Sequence, residues 1–133
     1  MSLKVGDTHE TVVIEKVART HIVKYAGASG DFNPLHHDDG LASSLGGYPT
    51  VFAHGMLSMG LTGRMLTDWV GPANLKKFGV RFTKQVWPGD TLTARGEVTG
   101  LEEKEGETLA TIRVITVNQN GESVVEGEAV AAV

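Results

Sequence analysis

Hydrophobic and polar positions divide the chain into a β-rich start, a polar middle, one strongly apolar helical segment and a long alternating second half. Thr11 to Val17 is rich in β-branched residues and predicts a strand. Thr20 then offers an N-cap for a short helix to about Ala26. From Gly27 to Thr50 the chain is dense in Gly, Asp, Asn, Ser and Pro, which predicts a long loop region with room for one helical turn around Asp38 to Leu45. Between Gly55 and Trp69, the residues Met56, Leu57, Met59, Leu61, Met65, Leu66 and Trp69 spread too widely for one narrow stripe, as in a largely buried helix. Gly55, Gly60 and Gly63 sit in this segment although each costs up to about 1 kcal/mol relative to Ala in a helix interior. Their presence predicts close backbone approach.

The second half reads as four strands joined by short turns. Phe78, Val80 and Phe82 alternate with Gly79, Arg81 and Thr83; after Pro88-Gly89-Asp90, Leu92, Ala94, Gly96 and Val98 alternate with polar residues. A charged turn at Glu102 to Gly106 follows. Ala110, Ile112 and Val114 then set one phase while Ile115 and Val117 set the other, which predicts a β-bulge or bend near Val114. Asn120-Gly121 signals a hairpin before a last strand from about Ser123 to Val133. Strands and helices do not alternate, so a doubly wound parallel sheet is excluded and the fold class is α+β. The economical arrangement is one antiparallel sheet curled around the apolar helix of about 55–69.

Composition narrows the function. A chain of 133 residues with 41% hydrophobic content is expected to form one domain over residues 1–133. The formal charge is −4 and the 12 Lys and Arg residues are scattered, so no nucleic-acid footprint is present. The absence of cysteine excludes disulfides, thiolate metal sites and a cysteine nucleophile. Met1 to Glu10 lacks the apolar core of a signal peptide, and no apolar run approaches the roughly 20 residues needed to span a bilayer. A soluble cytoplasmic protein without a membrane contact is the expectation.

The candidate chemistry is concentrated in Ser29-Gly30-Asp31-Phe32-Asn33-Pro34-Leu35-His36-His37-Asp38. Asn33-Pro34 restricts the backbone between Asp31 and His36, so an acid and a base are held at a nearly constant separation and can share one water. Read on composition alone, Asp31 and Asn33 serve equally well as turn caps and His36 and His37 as surface residues. A metal site drawn from Asp31, His36, His37, Asp38 and Asp39 fits neither H-E-x-x-H nor a calcium loop, and none is expected. Ser29 lacks the G-x-S-x-G context of a nucleophile. A second stretch, Val51-Phe52-Ala53-His54-Gly55-Met56, leads into the apolar helix, whose first N–H groups are free to hold a developing oxyanion. By itself it reads more readily as an ordinary helix start, and only its pairing with the Asp31/His36 segment reverses that reading.

Together these segments resemble the MaoC-like dehydratases and R-specific enoyl-CoA hydratases, whose motif reads approximately S-G-D-x-N-P-x-H-x-D and stands intact here from Ser29 to Asp38. Ala53-His54-Gly55-Met56 and the run Arg81 to Asp90 are also similar to the family, in the family's order. Gln85 departs from it where a proline often follows the lysine. The resemblance implies a hot-dog fold and a dimer with its acyl tunnel near the subunit interface. It implies reversible hydration of a trans-2-enoyl thioester, carried by coenzyme A or acyl carrier protein, to an R-3-hydroxyacyl thioester. Asp31 and His36 would be catalytic and Gly55 would bind the thioester oxygen. Ser29, Gly30, Asn33 and His54 would support them, with no cofactor. A homodimer is the default, a heterodimer with a related subunit the variant. The rival readings are a hot-dog thioesterase and a non-catalytic acyl-binding or partner subunit.

Overall fold

The computed structural model describes residues 2–133. Five antiparallel strands form one sheet: β1 (Thr8–Ile14), β2 (Leu75–Phe82), β3 (Leu92–Lys104), β4 (Glu107–Val117) and β5 (Ser123–Ala132), in the order β1-β3-β4-β5-β2. The helices are α1 (Arg19–Ser29), α2 (Asp39–Gly46) and α3 (Gly55–Val70), with a 3-10 turn at Pro34–His36. The sheet curls around α3, as the hydrophobic pattern requires.

The first strand lies about three residues earlier than its β-branched run suggests. Lys16 takes a left-handed φ of 47°, which ends the strand. Val17 still buries its side chain, but its N–H donates to the Asp90 carbonyl at 2.8 Å and its own carbonyl accepts from Gly89 at 2.7 Å. The N-cap of α1 is Ala18, not Thr20, and the His21 ring Nδ1 accepts from the Ala18 N–H at 2.9 Å. The helix also runs through Gly27 to Ser29, because Ile22 and Ala26 on one face are buried. Gly30 ends it in the left-handed conformation at φ 75°. Half of the polar middle is thus helical, and Asp38 caps α2 by accepting from the Leu41 N–H at 3.1 Å.

On α3 the buried stripe is Ser58, Thr62, Met65, Leu66 and Val70, while Met56, Gly60, Arg64 and Asp68, four apart, remain exposed. The helix is therefore covered on fewer sides than its apolar content suggested. Its glycines differ in purpose: a Cβ at Gly63 would press the Phe78 ring at 3.2 Å, whereas one at Gly60 would meet nothing.

The expected break at Val114 is absent. Ala110, Ile112, Val114 and Thr116 all face inward, and the register shifts instead between Val98 and Gly100 and between Thr116 and Val117. Thr116 keeps the inward phase because its hydroxyl meets that of Thr62 at 2.6 Å, and Thr62 in turn donates to the Ser58 carbonyl. A satisfied hydroxyl pair can be buried at little cost, so Ile115 and Val117 are merely apolar residues on the outer face.

One glycine lets the sheet close on the helix and another lets two strands approach each other. Trp69 fills the space above Gly96, where a Cβ would come within 2.8 Å of its ring. At Gly127 a Cβ would lie 2.0 Å from the Gly79 carbonyl oxygen, a backbone clash that no rotamer relieves. Gly127→Ala is therefore expected to lower stability by about 1–3 kcal/mol, read as a fall in denaturation midpoint. An unchanged midpoint would refute the close approach of β2 to β5.

Candidate active site

Asp31 and His36 are brought together by local turn chemistry. The Ser29 hydroxyl donates to the Tyr25 carbonyl at 2.7 Å and accepts from the Asp31 N–H at 3.2 Å, so Ser29 and Gly30 shape the turn that presents Asp31. Asp31 Oδ1 accepts from the Asn33 N–H at 3.2 Å, and the Asn33 side chain accepts from the Leu35 N–H at 3.0 Å. Asn33 thus holds the start of the 3-10 turn that carries His36.

His36 is anchored from a distance. Its Nδ1 lies 2.7 Å from the Phe52 carbonyl oxygen. A carbonyl can only accept, so Nδ1 carries the proton and Nε2 keeps its lone pair. Nε2 lies 4.0 Å from Asp31 Oδ2, too long for a direct hydrogen bond and the right span for one bridging water. The two side chains differ in exposure, 10% for His36 and 51% for Asp31. Burial lowers the His36 pKa from the ordinary 6.5. The Phe52 carbonyl opposes that shift, the neighbouring His54 adds to it, Asp31 opposes it and His37 adds to it.

His54 lies behind the pair, 2% exposed. Its Nε2 donates to the Asp31 carbonyl at 3.0 Å, and its ring stacks on that of His36 at 3.9 Å and 27°. Tyr25 meets it edge-on at 4.9 Å. Its Nδ1 is buried without a partner, a cost of about 1–3 kcal/mol for an unsatisfied group. Asp31, His36 and His54 offer atoms within 4.8 Å of one another, but rings stacked nearly parallel send their lone pairs alongside each other and not to a common ion. The other acids and the second histidine of the polar segment are engaged elsewhere. His37 bonds the Phe32 carbonyl, Asp38 caps α2 and Asp39 binds Arg19.

Gly55 opens α3. No side chain caps this helix, so its first N–H groups are available and carry the positive end of the helix dipole. A Cβ at Gly55 would come within 3.0 Å of the Phe82 ring, so glycine lets Phe82 approach. Beside it lies a cavity of about 280 Å³ whose walls include Phe52, Gly55, Ser58, Phe82, Val86 and Val124. Asp31 and His36 do not line it. Phe52 joins the two regions, its carbonyl holding His36 and its residue walling the cavity. Of the loop between Gly40 and Phe52, only Phe52 contributes to these walls.

Sequence reasoning missed the Phe52 carbonyl and a clasp behind it. Asp39 Oδ1 accepts from the Thr50 hydroxyl at 2.8 Å and the Val51 N–H at 3.0 Å, and both its oxygens face Arg19 Nη2 at 3.1 and 3.2 Å. These bonds hold its carboxyl below the usual range, the Thr50 hydroxyl first, then the Val51 amide and Arg19. Asp39 had a signal only as an acid directly after the motif segment; the main-chain acceptor had none.

The five-stranded sheet wrapped on the central helix defines a hot-dog domain, with Asp31 and His36 paired near the start of that helix. The MaoC like domain model matches residues 2–120, and the chain belongs to that family. It is 32% identical to the (R)-specific enoyl-CoA hydratase of Aeromonas caviae, over 97% of this chain and 94% of that one. It is 38% identical over 90 residues to 3-hydroxyacyl-thioester dehydratase Y of Mycobacterium tuberculosis, covering 65% of this chain but only 31% of that longer protein. Among solved structures, the ChsH1-ChsH2 complex from Mycobacterium tuberculosis superposes with a TM-score of 0.82 at 30% identity, covering 99% of this chain and 98% of that one.

The clasp generates one prediction. Asp39→Asn should speed hydrogen exchange at the Val51 amide by roughly tenfold, the loss of a modest hydrogen bond. Unchanged exchange would show that Asp39 does not hold this segment.

Proposed function

We propose that the chain is a hydro-lyase that adds water across the α,β double bond of a trans-2-enoyl thioester and removes it in reverse. The observation that carries this reading is the 4.0 Å gap between Asp31 Oδ2 and His36 Nε2, beside an uncapped helix start. The names of the relatives, hydratases and a 3-hydroxyacyl-thioester dehydratase, support it.

In the proposed mechanism the thioester carbonyl accepts hydrogen bonds from the first N–H groups of α3, at Gly55 and its neighbour. Electron density is drawn from the β-carbon toward that oxygen. A water held between Asp31 and His36 attacks the β-carbon, and His36 Nε2 takes its proton. The acid–base pair returns a proton to the α-carbon, so that OH and H are both added and the residues end as they began. Dehydration retraces the same steps. The R configuration and the choice of coenzyme A or acyl carrier protein as carrier rest on resemblance. The chemistry assigned to these groups calls on no cofactor.

A dimer is part of the proposal. The order of the strands leaves β2 at an edge, where its outer backbone groups can pair with a second copy or a related subunit. Phe82, which walls the cavity at the end of β2, and Met56 on α3 are 49% and 54% exposed, apolar surface that a second copy would cover. Among the described residues no helix is long and apolar enough to cross a membrane. The cytoplasm is our proposed compartment, supported by the lack of cysteine.

Incubation with crotonyl-CoA and a longer trans-2-enoyl-CoA should show loss of enoyl absorbance and formation of the R-3-hydroxyacyl product. Asp31→Asn and His36→Ala should each cost at least about 100-fold in kcat, the scale of general acid–base catalysis, while remaining folded. Release of free thiol would instead indicate a thioesterase. Because His36 acts as a base in its neutral form and its pKa is lowered, kcat/KM should fall on the acid side with a midpoint below about 6.5. A midpoint above that value would contradict the assignment.

A further inference from the structure

The water-addition step leaves His54 without a task, although its surroundings are unusual for a core residue. It is 2% exposed, and it touches both members of the pair: the Asp31 carbonyl through Nε2 at 3.0 Å, and the His36 ring through its face at 3.9 Å. We propose that His54 is a positioning residue for hydration, its Nε2–H fixing the main chain at Asp31 while its ring face fixes the His36 imidazole. This rests on the roles given above to Asp31 and His36.

The need for such a residue follows from how each partner is otherwise held. The bond from Nδ1 to the Phe52 carbonyl and the Phe52 ring, edge-on at 5.1 Å, restrain His36 from one residue, which leaves the opposite ring face to be held by another. The turns at Ser29, Gly30 and Asn33 place Asp31, but their hydrogen bonds do not reach the His36 ring. The stacked face of His54 holds that ring face, and its donor ties the Asp31 backbone to the same rigid body. His54 also stands immediately before α3, two residues after Phe52. One short segment therefore indexes base, acid and the free helix amides to each other.

Residue type supports the same conclusion. Phenylalanine would supply the flat face without a donor, and glutamine a donor without the face; histidine supplies both. It does so at the expense of a buried Nδ1 with no partner, which a residue serving packing alone would avoid. The Tyr25 edge at 4.9 Å closes the far side of the ring and keeps it seated.

The test uses His54→Phe and His54→Gln in the intact chain, with melting curves to confirm folding. Both variants should lose kcat by about 10- to 100-fold, the scale of a small misplacement of reacting groups, with KM changed less than about threefold. Full kcat in His54→Phe, or a raised KM at unchanged kcat, would overturn the proposal. Nitrogen-15 spectroscopy of the wild-type histidines near pH 8 gives a second reading that needs no substrate. The His54 proton should reside on Nε2, and a proton on Nδ1 would overturn the role. If the wild-type protein hydrates no enoyl thioester, the functional reading fails separately while the tautomer still decides the geometry.

Discussion

The bond from His36 Nδ1 to the Phe52 carbonyl, at 2.7 Å, is the constraint on which the site depends, because it settles three matters together. It fixes the tautomer, leaving Nε2 able to accept a proton. It ties the motif segment after α1 to the segment that starts α3, so the acid–base pair and the free helix amides share one frame. It also gives the largely buried ring a neutral partner, which offsets only part of the downward pKa shift that burial imposes. Burial without a fully paired carboxylate is what lowers the pKa of the imidazole and keeps it a base near neutral pH. Had Asp31 bonded His36 directly, the ion pair would have favoured the protonated ring and left less room for water.

The fold serves this arrangement by packing α3 against the sheet at several points. Its buried stripe sits in the curl of the sheet, Trp69 closes over Gly96 and Phe78 over Gly63. The buried threonine pair, Thr62 with Thr116, ties the helix to β4 by a directed bond where apolar packing alone would permit sliding. Phe82, at the end of the edge strand β2, packs against Gly55 beside the cavity, and Met56, the next residue of α3, is exposed.

Much of this was legible in the chain itself. Alternation and turn chemistry located all four strands of the second half, and the block from Ser29 to Asp38 held the Asp31 and His36 side chains that the structure brings within 4.0 Å. The rest depended on contacts far apart in sequence. Phe52 holds His36 through a main-chain atom, which leaves no mark on residue type. Asp39 read as one more acid because its partners, Arg19, Thr50 and Val51, lie 20, 11 and 12 residues away. The polar middle looked like loop because its helices are short and capped by the same Asp and Gly residues that make turns. Thr116 hid the true phase of β4, since a buried hydroxyl is indistinguishable from an exposed one until its partner is known.

The most direct test of the central claim is mass analysis of the product formed from crotonyl-CoA in deuterium oxide, and separately in oxygen-18 water. Addition by the Asp31/His36 pair predicts one deuterium at the α-carbon and the heavy oxygen at the β-carbon, with the thioester intact. Heavy oxygen in a free carboxylate, with none on the β-carbon, would contradict it and place the attack on the thioester carbonyl.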